Sequence, residues 1–319
     1  LAQLETIGIV GAGLMGHGIA QVFAVAGHPV KVHDPVSASL ATLKHRIVAN
    51  LVDLGVDPQA AECVQPCGDL ADAVGDADVV FEAAPEKPGL KQAIFADLER
   101  LTRRDTLLAS NTSVIPIGII ARDVVTKDRV VGTHWWNPPY LVPLVEVIET
   151  EETAGATVTA MIELLQRVGK TAVHVRKDVP GFVGNRLQHA LWREAMALVQ
   201  EGVCDARTVD IVVKAGFGRR LAVLGPLENA DLIGTDLSLD IHENVLPHLD
   251  RTPGPLPYLR SLVAEGKLGM KSGEGFRTWT PEEIKDLRAL VLTHLKKMAD
   301  QERSGKVDQR SGSKPTPEG

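Results

Sequence analysis

The chain has 319 residues, 44% of them hydrophobic, and a formal net charge of -7 at pH 7. That length suits two domains better than one core, and the negative charge opposes phosphate backbones and acidic membrane surfaces. No apolar run approaches the roughly 18 residues that suggest a membrane span, so neither a nucleic acid nor a membrane is an expected partner. Leu1 to Glu5 shows no basic segment leading into an apolar one, so no signal peptide is expected. Cys63, Cys67 and Cys204 complete neither a zinc set nor a disulfide framework. Reduced thiols, a cytoplasmic location and no metal are the expectation.

In chain order, residues 6–10 form a short apolar run, followed by GAGLMG, an apolar-rich helical stretch to Ala26, and a second strand over 28–34. This is the strand, glycine turn, helix, strand order of a βαβ unit. Further strands are predicted at 78–83, 106–110, 129–134 and 144–149. Between the first two lies an amphipathic helix over 90–101, with Leu90, Ile94, Phe95, Leu98 and Leu101 on one face. The alternation predicts an α/β fold with a doubly wound, mostly parallel Rossmann-type sheet. After about residue 176 strand-like runs vanish. Helical spacing continues over 183–203, 206–215, 227–249 and 257–266, which predicts an all-α C-terminal domain. The expected domains are 1–178, 179–300 and a polar tail over 301–319, rich in Ser, Gly and Pro.

The glycine turn stands in full context, since it follows a strand, opens a helix and is followed by Asp34 at the end of the next strand. Gly11 permits the turn, Gly13 lets backbone approach a pyrophosphate, and Gly16 lets helix pack on strand. With Leu14 and Met15 they present unpaired helix N–H groups to phosphate. Asp34 would accept hydrogen bonds from the adenosine ribose and repel a ribose phosphate. No Arg or Lys occurs over 35–38, so NAD is expected over NADP, with FAD a weaker rival. His134 ends a strand, and Glu146 lies twelve residues on in the next one. If the chain turns at Asn137-Pro138-Pro139, the carboxylate returns beside the imidazole. Such a pair suits alcohol oxidation: His takes the hydroxyl proton, and Glu fixes its tautomer and stabilises the cation.

GAGLMGHGIA at 11–20, EAAPE at 82–86, SNTS at 110–113, HWWNPP with LVEVI, and PGFVGNR at 180–186 occur in order, and KSGEGF closes the series at 271–276. Together they resemble the 3-hydroxyacyl-CoA dehydrogenase family, including its lambda-crystallin (L-gulonate 3-dehydrogenase) branch, from residue 6 to about 276. The resemblance implies His134 as general base and Glu146 as its partner. It implies Ser113 bonding the reacting oxygen and Asn185 touching substrate. Glu86 and Lys91 match positions at the nicotinamide side, and Asn137 would help hold the site. A homodimer through the helical domain is also implied.

CoA-binding members resemble one another in a lysine-rich excursion after the second strand. Here residues 47–86 contain no Lys or Arg and nine acidic residues, a composition opposed to CoA phosphates. The NPPY motif and residues 216–228 look more like the lambda-crystallin branch, which carries a basic residue at the position of Arg220. Arg220 is therefore a candidate for binding the carboxylate of a free acid, whereas KSGEGF is more typical of CoA-type members. The expected function is oxidation of the 3-hydroxyl of a small free hydroxy acid, or similar carboxylated alcohol, to the ketone. The alternatives are a 3-hydroxyacyl-CoA dehydrogenase and a non-catalytic NAD-binding, crystallin-like protein. Retained Ser113, His134, Glu146 and Asn185 weigh against the last, and the HWWNPP block weighs against a hydroxyisobutyrate-type enzyme that relies on a catalytic Lys.

Overall fold

A computed structural model describes residues 4–311, with side chains through residue 301. Eight strands form one sheet: β1 (Ile7–Val10), β2 (Val30–His33), β3 (Val64–Cys67), β4 (Val79–Glu82), β5 (Leu107–Ser110), β6 (Val130–Trp135), β7 (Leu144–Ile148) and β8 (Thr171–Val175). Their spatial order is β3-β2-β1-β4-β5-β6-β7-β8. Every pairing is parallel except β6 with β7.

The central strands are apolar runs because both sheet faces are covered. Successive residues serve opposite faces. Ile7, Ile9, Val79, Phe81, Ala109, Val131 and Val145 join one core, completed by the helices Leu14–Val25, Leu43–Asp53 and Gly155–Arg167. Val10, Val80, Leu108, Val130 and Ile148 join the other, with Phe95 and Leu98 of the helix Pro88–Leu101. In that helix Ile94 and Leu101 are half-buried and Leu90 is exposed, so the apolar face is narrower than the sequence pattern suggests.

Two strands escape the sequence reading, and both lie at sheet edges. β3 is VQPC, buried only at its two ends, and its proline suits an edge. β8 is TAVHV, buried only at Val175. Neither needs a continuous apolar run.

The chain divides into two compact units, Leu1–Arg186 with Leu292–Gly319, and Leu187–Val291. The expected boundary near 175–180 lies just ahead of this division, which falls within the helix Gly184–Gln200. The second unit is helical throughout, apart from short 3-10 turns and isolated bridges. The single helix expected over 227–249 is instead Pro226–Ile233, then Thr235–Val245, then a 3-10 turn at Leu246–His248. Gly234 at φ 98° interrupts it, outside helical backbone geometry. Residues 301–311, expected as part of a polar tail, continue the helix Pro281–Ser311. Once nucleated a helix lengthens cheaply, and the first proline of that segment is Pro315. Residues 312–319 lie outside the described residues. Among the described residues no helix is long and apolar enough to cross a membrane, and no group of His, Cys, Asp and Glu is arranged to hold a metal.

Candidate active site

The glycine turn joins β1 to the helix Leu14–Val25, where the strand order reverses between β1 and β4. Ligands of open α/β sheets bind at such a switch point. Gly11 has φ 106°, and a Cβ at Gly16 would lie 1.8 Å from the Gly11 carbonyl oxygen, so the helix can approach the strand only without side chains there. Gly13, by contrast, has open space where a Cβ would stand, leaving room for a phosphate against its backbone. The first N–H groups of the helix, at Leu14 and Met15, start there and lack intrahelical acceptors. Asp34, just beyond β2, accepts from the Ala12 N–H at 2.7 Å and the Val36 N–H at 2.8 Å, which locks its carboxylate beside the turn. Turn, helix end and carboxylate fit a dinucleotide whose adenosine ribose is not phosphorylated.

The antiparallel return of β7 along β6 puts Glu146 directly opposite His134. His134 Nδ1 lies 2.7 Å from Glu146 Oε2, and the two residues are 4% and 1% exposed. A carboxylate only accepts, so Nδ1 carries the proton and Nε2 is left with a lone pair. The other carboxylate oxygen accepts the N–H groups of Val183 and Gly184 at 2.9 and 3.0 Å. Burial alone would raise the Glu146 carboxyl; the bonds from His134, Gly184 and Val183, with the electrostatic attraction of the His134 ring, outweigh it and hold the group below its ordinary range.

The turn delivering those N–H groups is strained. Gly181 reaches φ 76° freely, but Phe182, its non-glycine neighbour, has φ 50°, a conformation costing roughly 1–2 kcal/mol for a residue with a Cβ. The buried Phe182 ring packs 5.7 Å from the His134 ring, and Trp136 lies 5.3 Å away on a second contact. Gly184 is required here, because a Cβ would stand 2.5 Å from Trp136 Cζ2. The PGFVGNR block is visible in the sequence, but not that Val183 and Gly184 hold Glu146 while Phe182 packs on His134. Their backbone roles leave no signal beyond the glycines.

A second polar cluster closes the ends of β4 and β5. Glu82 accepts from Lys91 at 2.7 Å, Ser110 at 2.6 Å and the Ala84 N–H at 2.7 Å. Lys91 also donates to the Ala84 carbonyl and lies 3.5 Å from Glu86. Expected as a cofactor contact, Lys91 has no exposed surface at all, and its ammonium is spent on these inward partners. Glu86 Oε1 accepts from the Thr112 hydroxyl, the Ser113 N–H and the Val114 N–H at 2.5, 2.9 and 3.1 Å. Burial pushes the Glu86 carboxyl up, but the Thr112 hydroxyl, these N–H groups and the Lys91 charge bring it below its ordinary range. The Asn185 amide donates to the Ser113 carbonyl at 2.8 Å, so two expected substrate residues are tied together, with Ser113 exposed. Asn137 is exposed on the excursion between β6 and β7, and its bond to Pro138 is cis. Arg220 belongs to the helical unit, where it is exposed and follows the 3-10 turn Phe217–Arg219.

Residues 6–179 match the 3-hydroxyacyl-CoA dehydrogenase NAD-binding domain, and residues 181–279 match that family's C-terminal domain. The chain belongs to the 3-hydroxyacyl-CoA dehydrogenase family. Among its relatives is a 5-formyl-3-hydroxy-2-methylpyridine 4-carboxylate 5-dehydrogenase of Mesorhizobium japonicum, 35% identical over 292 residues, 90% of this chain and 94% of the relative. A solved dehydrogenase of that activity, described as an NAD+ dependent dismutase, superimposes with a TM-score of 0.87 over 94% of this chain and 99% of its own. A probable 3-hydroxybutyryl-CoA dehydrogenase of Deinococcus radiodurans is 38% identical over 84% of this chain and 98% of the relative. The (S)-3-hydroxybutyryl-CoA dehydrogenase of Ralstonia eutropha, at 33% identity, superimposes with a TM-score of 0.73 over 87% and 100%. The protein is thus an NAD-dependent dehydrogenase of the 3-hydroxyacyl-CoA dehydrogenase family.

Membership sharpens one feature of the sequence. The acidic stretch over 47–86 is not the bare negative surface that its composition suggests. Asp53 pairs with Lys296, Glu62 with Lys44, Asp76 with Lys31 and Asp78 with Arg103, while Glu82 and Glu86 meet Lys91. Folding brings in cations from outside the stretch, so its opposition to CoA phosphates is smaller than the count of carboxylates implies.

Proposed function

We propose that this dehydrogenase oxidises the hydroxyl of a small free carboxylated alcohol, such as a 3-hydroxy acid, to the ketone, with His134 as general base. The observation that carries the base assignment is the buried His134–Glu146 pair at 2.7 Å, with the second carboxylate oxygen held by two backbone N–H groups. His134 Nε2 accepts the substrate hydroxyl proton as the C–H bond breaks. Gly11–Gly16 and Asp34 would hold NAD, whose chemistry there would be to accept the hydride. Glu146 stabilises the imidazolium formed and prevents its rotation. Ser113 bonds the reacting oxygen from the loop that Glu86 and Asn185 hold. Lys91 acts on the nicotinamide end through Glu86 rather than by direct contact.

The free-acid reading draws support from the Mesorhizobium relative, whose name specifies a pyridine carboxylate. Arg220, exposed on the helical unit, is the charged group proposed for a carboxylate in this reading. The 3-hydroxyacyl-CoA reading stands beside it because relatives named for CoA thioesters are equally similar in sequence. We further propose that the helical unit pairs with a second copy of the chain, because its exposed apolar residues include Val223, Leu227 and Leu232. The unpaired cysteines Cys63, Cys67 and Cys204 suit a reducing, cytoplasmic setting. NADH formation measured across free 3-hydroxy acids, a pyridine alcohol carboxylate and the matching CoA thioesters tests the substrate class. Higher kcat/KM on free acids is expected, and preference for a thioester transfers the assignment to the acyl-CoA reading.

A further inference from the structure

The residues after Asp34 carry no cation over 35–38, but the fold supplies one from the helix Leu43–Asp53. Arg46 Nη2 donates to the Ala12 carbonyl at 2.7 Å and to the Ser39 carbonyl at 3.0 Å. Ala12 is the residue between Gly11 and Gly13, and its N–H is the one that Asp34 accepts at 2.7 Å. One residue of the dinucleotide turn is therefore gripped by a carboxylate at its nitrogen and by a guanidinium at its oxygen. The Arg46 Nε–H is buried and has no hydrogen-bond partner among the described residues. A buried donor left unpaired costs free energy. A guanidinium has five N–H groups, and the bonds to Ala12 and Ser39 both come from Nη2. Cationic donors thus remain on a guanidinium that grips the same residue, Ala12, as the Asp34 carboxylate.

We propose that Arg46 is a specificity-determining residue of the NAD site. It fixes the Ala12 turn that Asp34 also holds, and Asp34 decides what its charge can bind. With the carboxylate present, a ribose 2′-phosphate is repelled and the guanidinium serves only the turn. With the carboxylate removed, the same guanidinium becomes a phosphate anchor, since a fork of charged N–H groups matches phosphate geometry. This inference rests on NAD binding at the glycine turn.

The test is a fluorescence titration of NADH and NADPH against the wild type, Arg46→Met, Asp34→Ser and the double variant, with steady-state kinetics in NAD. Arg46→Met is expected to weaken NADH binding about tenfold, with KM for NAD rising in proportion and kcat at saturating NAD changing less than about twofold. Asp34→Ser is expected to gain about tenfold or more in NADPH affinity, and the double variant to lose that gain. NADH binding by Arg46→Met equal to wild type would overturn the proposal, as would an NADPH gain that persists without Arg46. Should Arg46→Met fail to fold, Arg46→Gln carries the test. Its amide can still reach the Ala12 carbonyl but has no charge, so it should keep most NADH affinity and abolish the NADPH gain in the Asp34→Ser background; a persisting gain overturns the proposal. Failure of the wild type to bind NADH at all would instead refute the cofactor site itself.

Discussion

The sheet-bearing unit and the helical unit solve the burial problem differently. In the first, two cores close on both faces of the sheet, and large side chains such as Phe23, Phe81 and Phe95 have no exposed surface. In the second, among the described residues 187–291, only Ala197, Leu256 and Leu262 are buried, while Val223 and Leu227 are 89% and 80% exposed. The first unit pins polar groups for chemistry because its packing leaves them nowhere else to go. The second presents apolar surface, for which a second copy is the proposed cover.

The difference between the units is largest in the core. Phe81→Ala should cost about 3–5 kcal/mol of unfolding free energy, independent of protein concentration, as read by urea denaturation. Concentration-dependent loss would mean that the first unit is not self-sufficient. A smaller effect is expected from Glu146→Gln. One carboxylate oxygen faces His134 and the other faces two N–H donors, so an amide nitrogen must meet a donor on one side or the other. Losing charge-assisted bonds worth roughly 1.5–3 kcal/mol should lower kcat on the order of 10- to 100-fold, while NADH affinity is retained. Turnover equal to wild type would remove Glu146 from the mechanism.

Leu227→Asp on the helical unit should shift sedimentation from dimer toward monomer, because a carboxylate cannot be buried unpaired in an apolar interface. An unchanged species would place the interface elsewhere. The smallest effect is in acid. Glu146 and Glu86 are both held below the ordinary value of 4.5. A carboxyl with a depressed folded-state value contributes stability that is fully present above its unfolded value and lost as pH falls through the folded one. Stability should therefore decline as pH drops below about 4.5, and Glu146→Gln should flatten part of that slope. An identical pH dependence in the variant would show that Glu146 is not depressed.

What the sequence made legible was what local pattern encodes. The glycine turn, Asp34, and the twelve-residue spacing of His134 and Glu146 each depend on strand ends whose period can be read directly, and the antiparallel register places the last two opposite one another. What stayed hidden depends on distant partners. Arg46 reaches the turn from a helix, and the cations that neutralise the acidic stretch come from Lys31, Lys44, Arg103 and Lys296. Phe182 adopts a backbone conformation that no side-chain pattern announces. Edge strands β3 and β8 lack the apolar runs that mark buried ones. Gly234 divides a stretch whose apolar spacing otherwise continues as one helix.

We propose that the sheet-bearing unit carries the chemistry through His134. Its most direct test is the turnover of His134→Ala at saturating NAD, alongside NADH binding and a thermal melt. We expect kcat to fall by about 10² to 10⁴, with NADH affinity and cooperative unfolding retained. Wild-type turnover in that folded variant would contradict the account.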